Sequence, residues 1–214
     1  MNRECARGLA HFVVKEFVVA MTRMLVGLGA IALLALSAVA WYLTPAMLAP
    51  EGIDVGIDIG EVAPIDIAMR NSSGKTTNLA DIAGPNGTVL IMVRSADWCP
   101  FCAGQLKEHA AIADDLADRG YTLASLSYDE PEILATFAAD HNIPYAMLSD
   151  TQTRFVEAVR LRDPQYPEGH MAYGVPYASV LVLAPNGTVQ AKLVSGDYRQ
   201  RPDNEFVLSM VEDL

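Results

Sequence analysis

The chain has 214 residues, of which 51% are hydrophobic, with 15 Lys or Arg and 26 Asp or Glu. That length suits one N-terminal segment and one domain with a sizeable core, and that apolar content excludes global disorder. The first 43 residues carry four basic and two acidic side chains and the rest carry 11 and 24, so the acidic domain is unsuited to a phosphate backbone and nucleic acid is not an expected partner.

Met24 to Leu43 is a run of 20 residues without a charge. At about 1.5 Å per residue it reaches about 30 Å, the thickness of a bilayer core. Trp41 and Tyr42 stand at its far end, where amphipathic rings favour the interface, and Arg3, Arg7, Lys15 and Arg23 precede it. The expectation is a single-pass cell-membrane anchor with residues 1–23 in the cytoplasm. Everything after it would face the periplasm or another extracytoplasmic side. The rival reading is a cleaved signal peptide, since Ala38-Val39-Ala40 fits a cleavage site. Met21 is a second candidate start. Cys5 precedes the apolar run and is incidental.

Residues 44–61 read as a linker or an irregular lead-in and residues 62–214 as the folded domain. Ile65 to Met69 alternates and predicts an edge strand, and Asn71 to Lys75 predicts a turn with a short strand to Leu79. Thr88 to Val93 is a continuous apolar run, the pattern of a strand buried on both faces. Pro100 to Arg119 reads as one helix stopped by Gly120. After it come a strand at Tyr121 to Ser127, a helix at Pro131 to His141, a strand at Tyr145 to Leu148 and a helix at Thr151 to Val159. Residues 161–174 form a loop. Tyr177 to Ala184 and Thr188 to Val194 form a hairpin about Pro185-Asn186-Gly187, and Asn204 to Glu212 closes the chain as a helix. This order predicts an α/β fold with a central mixed sheet flanked by helices. Asn71, Asn86 and Asn186 each begin an N-x-S/T triplet, and turn formation explains all three.

The chemistry concentrates at Trp98-Cys99-Pro100-Phe101-Cys102, where the buried strand passes into a helix. A helix N-terminus stabilises a thiolate through its partial positive charge and free N–H groups. Cys99 is expected there, exposed, as the attacking thiol. Cys102 lies one turn on, within disulfide reach, as the resolving thiol. Pro100 suits the first helical turn, and Trp98 is placed to shield the pair. Half a zinc site and two unrelated core cysteines are the alternatives; a zinc site wants four ligands, and no second cysteine pair exists. Asp97 is either an acid–base group serving Cys102 or an exposed loop carboxylate. His109 lies seven residues after Cys102, on roughly the same helical face.

These features resemble the thioredoxin-like superfamily and, within it, the redoxin and peroxiredoxin-like (AhpC/TSA-type) group, from about Ile65 to Leu214. The resemblance rests on the lead-in hairpin with Gly74-Lys75, the strand TVLIMV, the CPFC pair, and Gly174-Val175-Pro176 before YASVLVL. It implies a thioredoxin-like fold, Pro176 as a cis-proline facing the dithiol, and Val175 as the residue that pairs with a client backbone. Met92, Ala96 and Tyr177 stand where peroxiredoxins keep Pro, Thr and Arg, which implies weak peroxide turnover unless Arg94 substitutes. His170 before the final hairpin resembles the ligand of copper chaperones of the same fold, so Cys99, Cys102 and His170 are a candidate copper set, against which the CxxC spacing argues. Tyr166, Tyr173 and Tyr177 either line a client groove or pack the loop.

The expected function is a membrane-anchored thiol–disulfide oxidoreductase exchanging disulfides with exported proteins. A peroxiredoxin-like thiol peroxidase and a copper-binding assembly factor are the alternatives. No cofactor is expected. The expected partners are protein thiols and disulfides, a redox partner protein, and the membrane through the N-terminal helix.

Overall fold

A computed structural model describes residues 52–212 and 214. The expected anchor at Met24 to Leu43 lies outside these. Among the described residues, no helix is long and apolar enough to cross a membrane.

Seven strands form one sheet: β1 (Met69–Asn71), β2 (Thr76–Thr77), β3 (Gly87–Met92), β4 (Tyr121–Ser127), β5 (Ala146–Ser149), β6 (Ser179–Leu183) and β7 (Val189–Val194). Their spatial order is β2-β1-β5-β4-β3-β6-β7. The central strands β3, β4 and β5 run parallel, and β1, β2, β6 and β7 join antiparallel, so the sheet is mixed as the sequence implies. The helices are α1 (Leu79–Ile82), α2 (Pro100–His109), α3 (Ala113–Asp118), α4 (Pro131–His141), α5 (Arg154–Ala158) and α6 (Asn204–Ser209).

All six residues of β3 are buried, because neighbours flank the strand and both faces are covered. Its side chains alternate between two apolar clusters. Val89 and Ile91 join Leu123, Met147, Val180, Val182 and both cysteines on one face. Leu90 and Met92 join Ala124, Leu126, Leu148, Leu181 and Leu183 on the other. Gly87 opens β3 at φ 125°, and a Cβ there would lie 1.9 Å from the Leu183 carbonyl oxygen, so β6 can approach only a glycine.

Two expectations change. Residues 65–66 are turn rather than strand, and β1 pairs on both sides, with β2 and β5, so it is no edge. The helix expected from Pro100 to Arg119 breaks into α2, a 3₁₀ turn at Ala110–Ile112, and α3. The cause is tertiary: Asn204 Nδ2 donates to the Glu108 carbonyl (3.1 Å), and its Oδ1 meets His109 Nδ1 (2.7 Å), clamping the end of α2 from α6. Of the two readings of residues 44–61, the irregular lead-in describes residues 52–61, which pack on the domain. Gly52 bridges Ser195, Gly60 N–H donates to the Val189 carbonyl, and Ile57 is buried in the second cluster. The three N-x-S/T asparagines all build turns; Asn86 Nδ2, for instance, donates to the Arg119 carbonyl at 2.8 Å.

Candidate active site

The loop from β3 to α2 is held by a carboxylate 33 residues away. Asp129 follows β4, the parallel neighbour of β3, so the two loops leave the same end of the sheet. Its side chain accepts from Ser95 Oγ (2.8 Å), Ala96 N–H (2.7 Å) and Ser127 Oγ (2.8 Å). Ser95 Oγ in turn accepts from Asp97 N–H (3.0 Å) and Trp98 N–H (3.3 Å). Asp129 is 5% exposed, and three donors satisfy its buried charge. This anchor fixes the direction in which the chain enters α2.

Cys99 caps α2, with its Sγ accepting from Cys102 N–H at 3.3 Å, and Pro100 opens the first turn. Cys99 and Cys102 form a disulfide across a Cα separation of 5.2 Å. The exposure expected for Cys99 is not found in this form: the residue is 2% exposed and Cys102 is fully buried. Trp98 and Phe101 pack against the same cluster and cover the pair. Trp98 Nε1 donates to Tyr128 Oη (3.0 Å), and Tyr128 Oη donates to the Met171 carbonyl (3.1 Å), which ties the 161–174 loop to the site.

Asp97 is the exposed loop carboxylate of its two readings; the buried carboxylate that holds the loop leading to the dithiol is Asp129. Val175 is fully buried, its N–H donates to the Ala172 carbonyl and its carbonyl accepts Asp163 N–H, so it offers no edge to a client strand. No described peptide bond is cis, Val175–Pro176 included. Residues 161–163 run antiparallel beside this segment, through an Arg162–Pro176 bridge and Tyr177 N–H to the Leu161 carbonyl, and hold it extended. The copper set does not assemble either. No three His, Cys, Asp or Glu side chains among the described residues are placed to hold a metal, and His170 Nδ1 already accepts Ala172 N–H at 3.0 Å. Tyr166 is half-buried against Arg94 and His170, Tyr173 is exposed beside Arg162, and Tyr177 packs on the sheet face away from the dithiol. Met92 faces away as well. His109 is fully buried, and that burial holds its imidazole below its ordinary range and neutral.

Two arginines complete the site, and only Arg94 was singled out from the sequence. Arg94 is 7% exposed, its guanidinium carbon 4.0 Å from the Tyr198 ring centroid, 4.9 Å from Trp98 and 5.2 Å from Tyr166. Arg201 comes from the segment between β7 and α6. Its Nη2 lies 3.2 Å from Cys102 Sγ, and its Nη1 donates to Gln105 Oε1 at 3.0 Å. Burial first, then the like charge of Arg94, pushes the Arg201 guanidinium down to about 9, so it stays charged at neutral pH. No local sequence signal marks Arg201. Asp129 had one: an acidic residue at the carboxyl end of a strand beside the strand that leads into CxxC, where α/β sheets gather their functional groups.

Residues 59–192 match the AhpC/TSA family. The chain is 26% identical over 102 residues to peroxiredoxin Bcp of Bacillus subtilis, a match covering 48% of this chain and 63% of that protein. It is 25% identical over 146 residues to chloroplastic peroxiredoxin Q of Gentiana triflora, covering 68% of this chain and 63% of that protein. Both matches thus span less than two thirds of the relative. Among solved structures, peroxidoxin BcpB of Mycobacterium tuberculosis superposes with a TM-score of 0.64 at 17% identity, covering 74% of this chain and 98% of that one. Reduced Prx3 of Vibrio vulnificus, in complex with hydrogen peroxide, gives 0.63 at 19% identity, covering 73% and 99%. The structural likenesses show the shared fold, and the match over residues 59–192 shows that the chain belongs to the AhpC/TSA family.

Proposed function

We propose that the chain is a thiol peroxidase of the peroxiredoxin type. The observation that carries this reading is a cysteine capping the helix that follows the central strand of an AhpC/TSA domain, already bonded to a partner one turn on. The Cys99 thiolate attacks the peroxide, the O–O bond breaks, and the departing alkoxide or hydroxide takes a proton from water. Cys99 becomes a sulfenic acid. The Cys102 thiolate then attacks Cys99 Sγ, the S–O bond breaks, hydroxide leaves, and the disulfide closes. An external dithiol returns the pair to the reduced state. The test is peroxide consumption by the full chain with dithiothreitol as reductant. Wild type should turn over, and Cys99→Ser should lose at least about a thousandfold. Wild-type consumption no faster than that of free dithiothreitol overturns the reading.

A second reading, disulfide exchange with exported proteins, is favoured by one observation. Ala96 supplies no hydroxyl where peroxiredoxins keep Thr, and its N–H is already committed to Asp129. Tyr177, at the usual place of the Arg, packs on the far face. Any charge offered to a peroxide oxygen must come from Arg94 or Arg201.

We further propose that residues 24–43 anchor the domain outside the cytoplasm, which rests on the uncharged run and the basic residues before it. A reporter active only in the cytoplasm, fused after Leu214, should stay silent. Strong reporter activity refutes the topology.

A further inference from the structure

We propose that Arg201 holds the Cys102 thiolate in the reduced protein and thereby activates Cys102 as the resolving nucleophile. The inference deepens the peroxidase reading, in which Cys102 resolves, and applies equally to the exchange reading.

The helix N-terminus accounts for Cys99, but its field fades within the first turn. Cys102 is fully buried among apolar neighbours. Burial alone raises a thiol and leaves it protonated at neutral pH. A resolving thiol in that state would be slow. Arg201 removes the difficulty. Its Nη2 stands 3.2 Å from Cys102 Sγ, and Gln105, one helical turn from Cys102, holds the other arm of the fork. The disulfide sulfur carries no charge, so in the oxidised form this guanidinium faces a weak acceptor.

The surroundings leave that charge incompletely compensated. Arg201 forms no ion pair with a carboxylate among the described residues, and its Nε is buried without a hydrogen-bond partner. Arg94 adds a second positive charge nearby, covered by the faces of Trp98, Tyr166 and Tyr198. Asp197 attracts Arg201, yet its carboxylate is engaged with Arg199. The other titratable groups that act on this position are Tyr198 and the buried, neutral His109. Reduction places a new anion on Cys102 Sγ where the guanidinium already points. Arg201 therefore costs the oxidised form and favours the thiolate of the reduced one.

The size of the effect follows. An opposite charge at this range lowers an acid by about one to three pK units. One unit raises the thiolate fraction at pH 7 about tenfold. It also lowers intrinsic nucleophilicity about threefold, given a Brønsted slope near 0.45, so closure gains about threefold overall.

The experiment uses the full chain. In a Cys5→Ser, Cys99→Ser background, where Cys102 is the one remaining cysteine of the sequence, thiolate absorbance is titrated with Arg201 intact, as Arg201→Lys and as Arg201→Gln. Cys102 should titrate below the roughly 8.5 of a free cysteine, move up by at least about one unit in Arg201→Gln, and recover partly in Arg201→Lys. With both cysteines present, Arg201→Gln should slow disulfide closure after one equivalent of peroxide at least about threefold at pH 7. It should also accumulate more Cys99 sulfinic acid, read as a mass gain, because the sulfenic acid waits longer. A Cys102 midpoint unmoved by Arg201→Gln overturns the proposal. If the Arg201 variants do not fold, a midpoint at or above 8.5 with Arg201 intact overturns it, and a lower one supports it. The titration needs no peroxide turnover, so it stands even if the peroxidase reading falls.

Discussion

Asp129→Ala should lower the stability of the oxidised domain by about 3 kcal/mol or more and displace the dithiol loop. The carboxylate accepts one backbone N–H and two hydroxyls in a place that excludes water. The serine hydroxyls can rotate toward other acceptors. The Ala96 N–H cannot, and a buried donor left without an acceptor costs about 1–3 kcal/mol by itself. Ser95 Oγ then loses the partner that orients it toward Asp97 N–H and Trp98 N–H, so the damage spreads along the loop. Against a total stability of about 5–15 kcal/mol this is a large fraction. For a domain of this size it corresponds to a fall in Tm of about 6–12 °C, measurable by circular dichroism. Asp129→Asn retains one acceptor and should lose less. Asp97→Ala removes an exposed carboxylate and should change stability by no more than about 0.5 kcal/mol. Equal shifts for Asp129→Ala and Asp97→Ala would remove Asp129 from its place as anchor.

This contrast also marks what could be read from the sequence. Elements with local punctuation were legible to the residue or nearly so. β4 ends where Gly120 and the residues after Ser127 place it, α4 begins at Pro131, and β3 announces itself by an uninterrupted apolar run. The cysteine pair was legible for the same reason, since motif and strand–helix context sit within a dozen residues. Contacts made across the chain were not. The break after His109 has no Pro or Gly to signal it, because its cause is Asn204, 95 residues on. Arg201 reaches Cys102 across 99 residues. Ile57 is buried because the segment before β1 lies along β7, so composition alone left that segment between linker and irregular lead-in. Val175 and Pro176 were carried over from a resemblance, and the strand-like pairing with residues 161–163 gives them a structural role instead.

Cys102→Ser should trap adducts through Cys99, whereas Cys99→Ser should trap less than about a tenth as much. The two thiols differ in their place along α2: Cys99 caps its N-terminus and Cys102 lies one turn in. Exposed Asp97 and Pro100 lie to either side of Cys99 in the chain, so Cys99 is the thiol expected to meet an incoming peroxide or disulfide once the pair is reduced. Cys102 lies one turn deeper with no exposed surface, between Leu106 and the Arg201 guanidinium. An acidic thiolate in that position can reach Cys99 Sγ and little else. Without Cys102, a Cys99 sulfenic acid or mixed disulfide therefore has no internal route to resolution and must wait for an external thiol. Without Cys99, Cys102 is reactive in principle but sterically confined. Both variants would be exported, blocked rapidly with an alkylating agent and separated without reductant, with adduct masses measured. Adducts of small thiols or +16 Da on Cys99 follow from the peroxidase reading; adducts carrying whole proteins follow from the exchange reading. Equal trapping by the two variants, or faster alkylation of Cys102 than of Cys99 near pH 6, would reverse the assigned roles and make Cys102, beside its arginine, the attacking thiol.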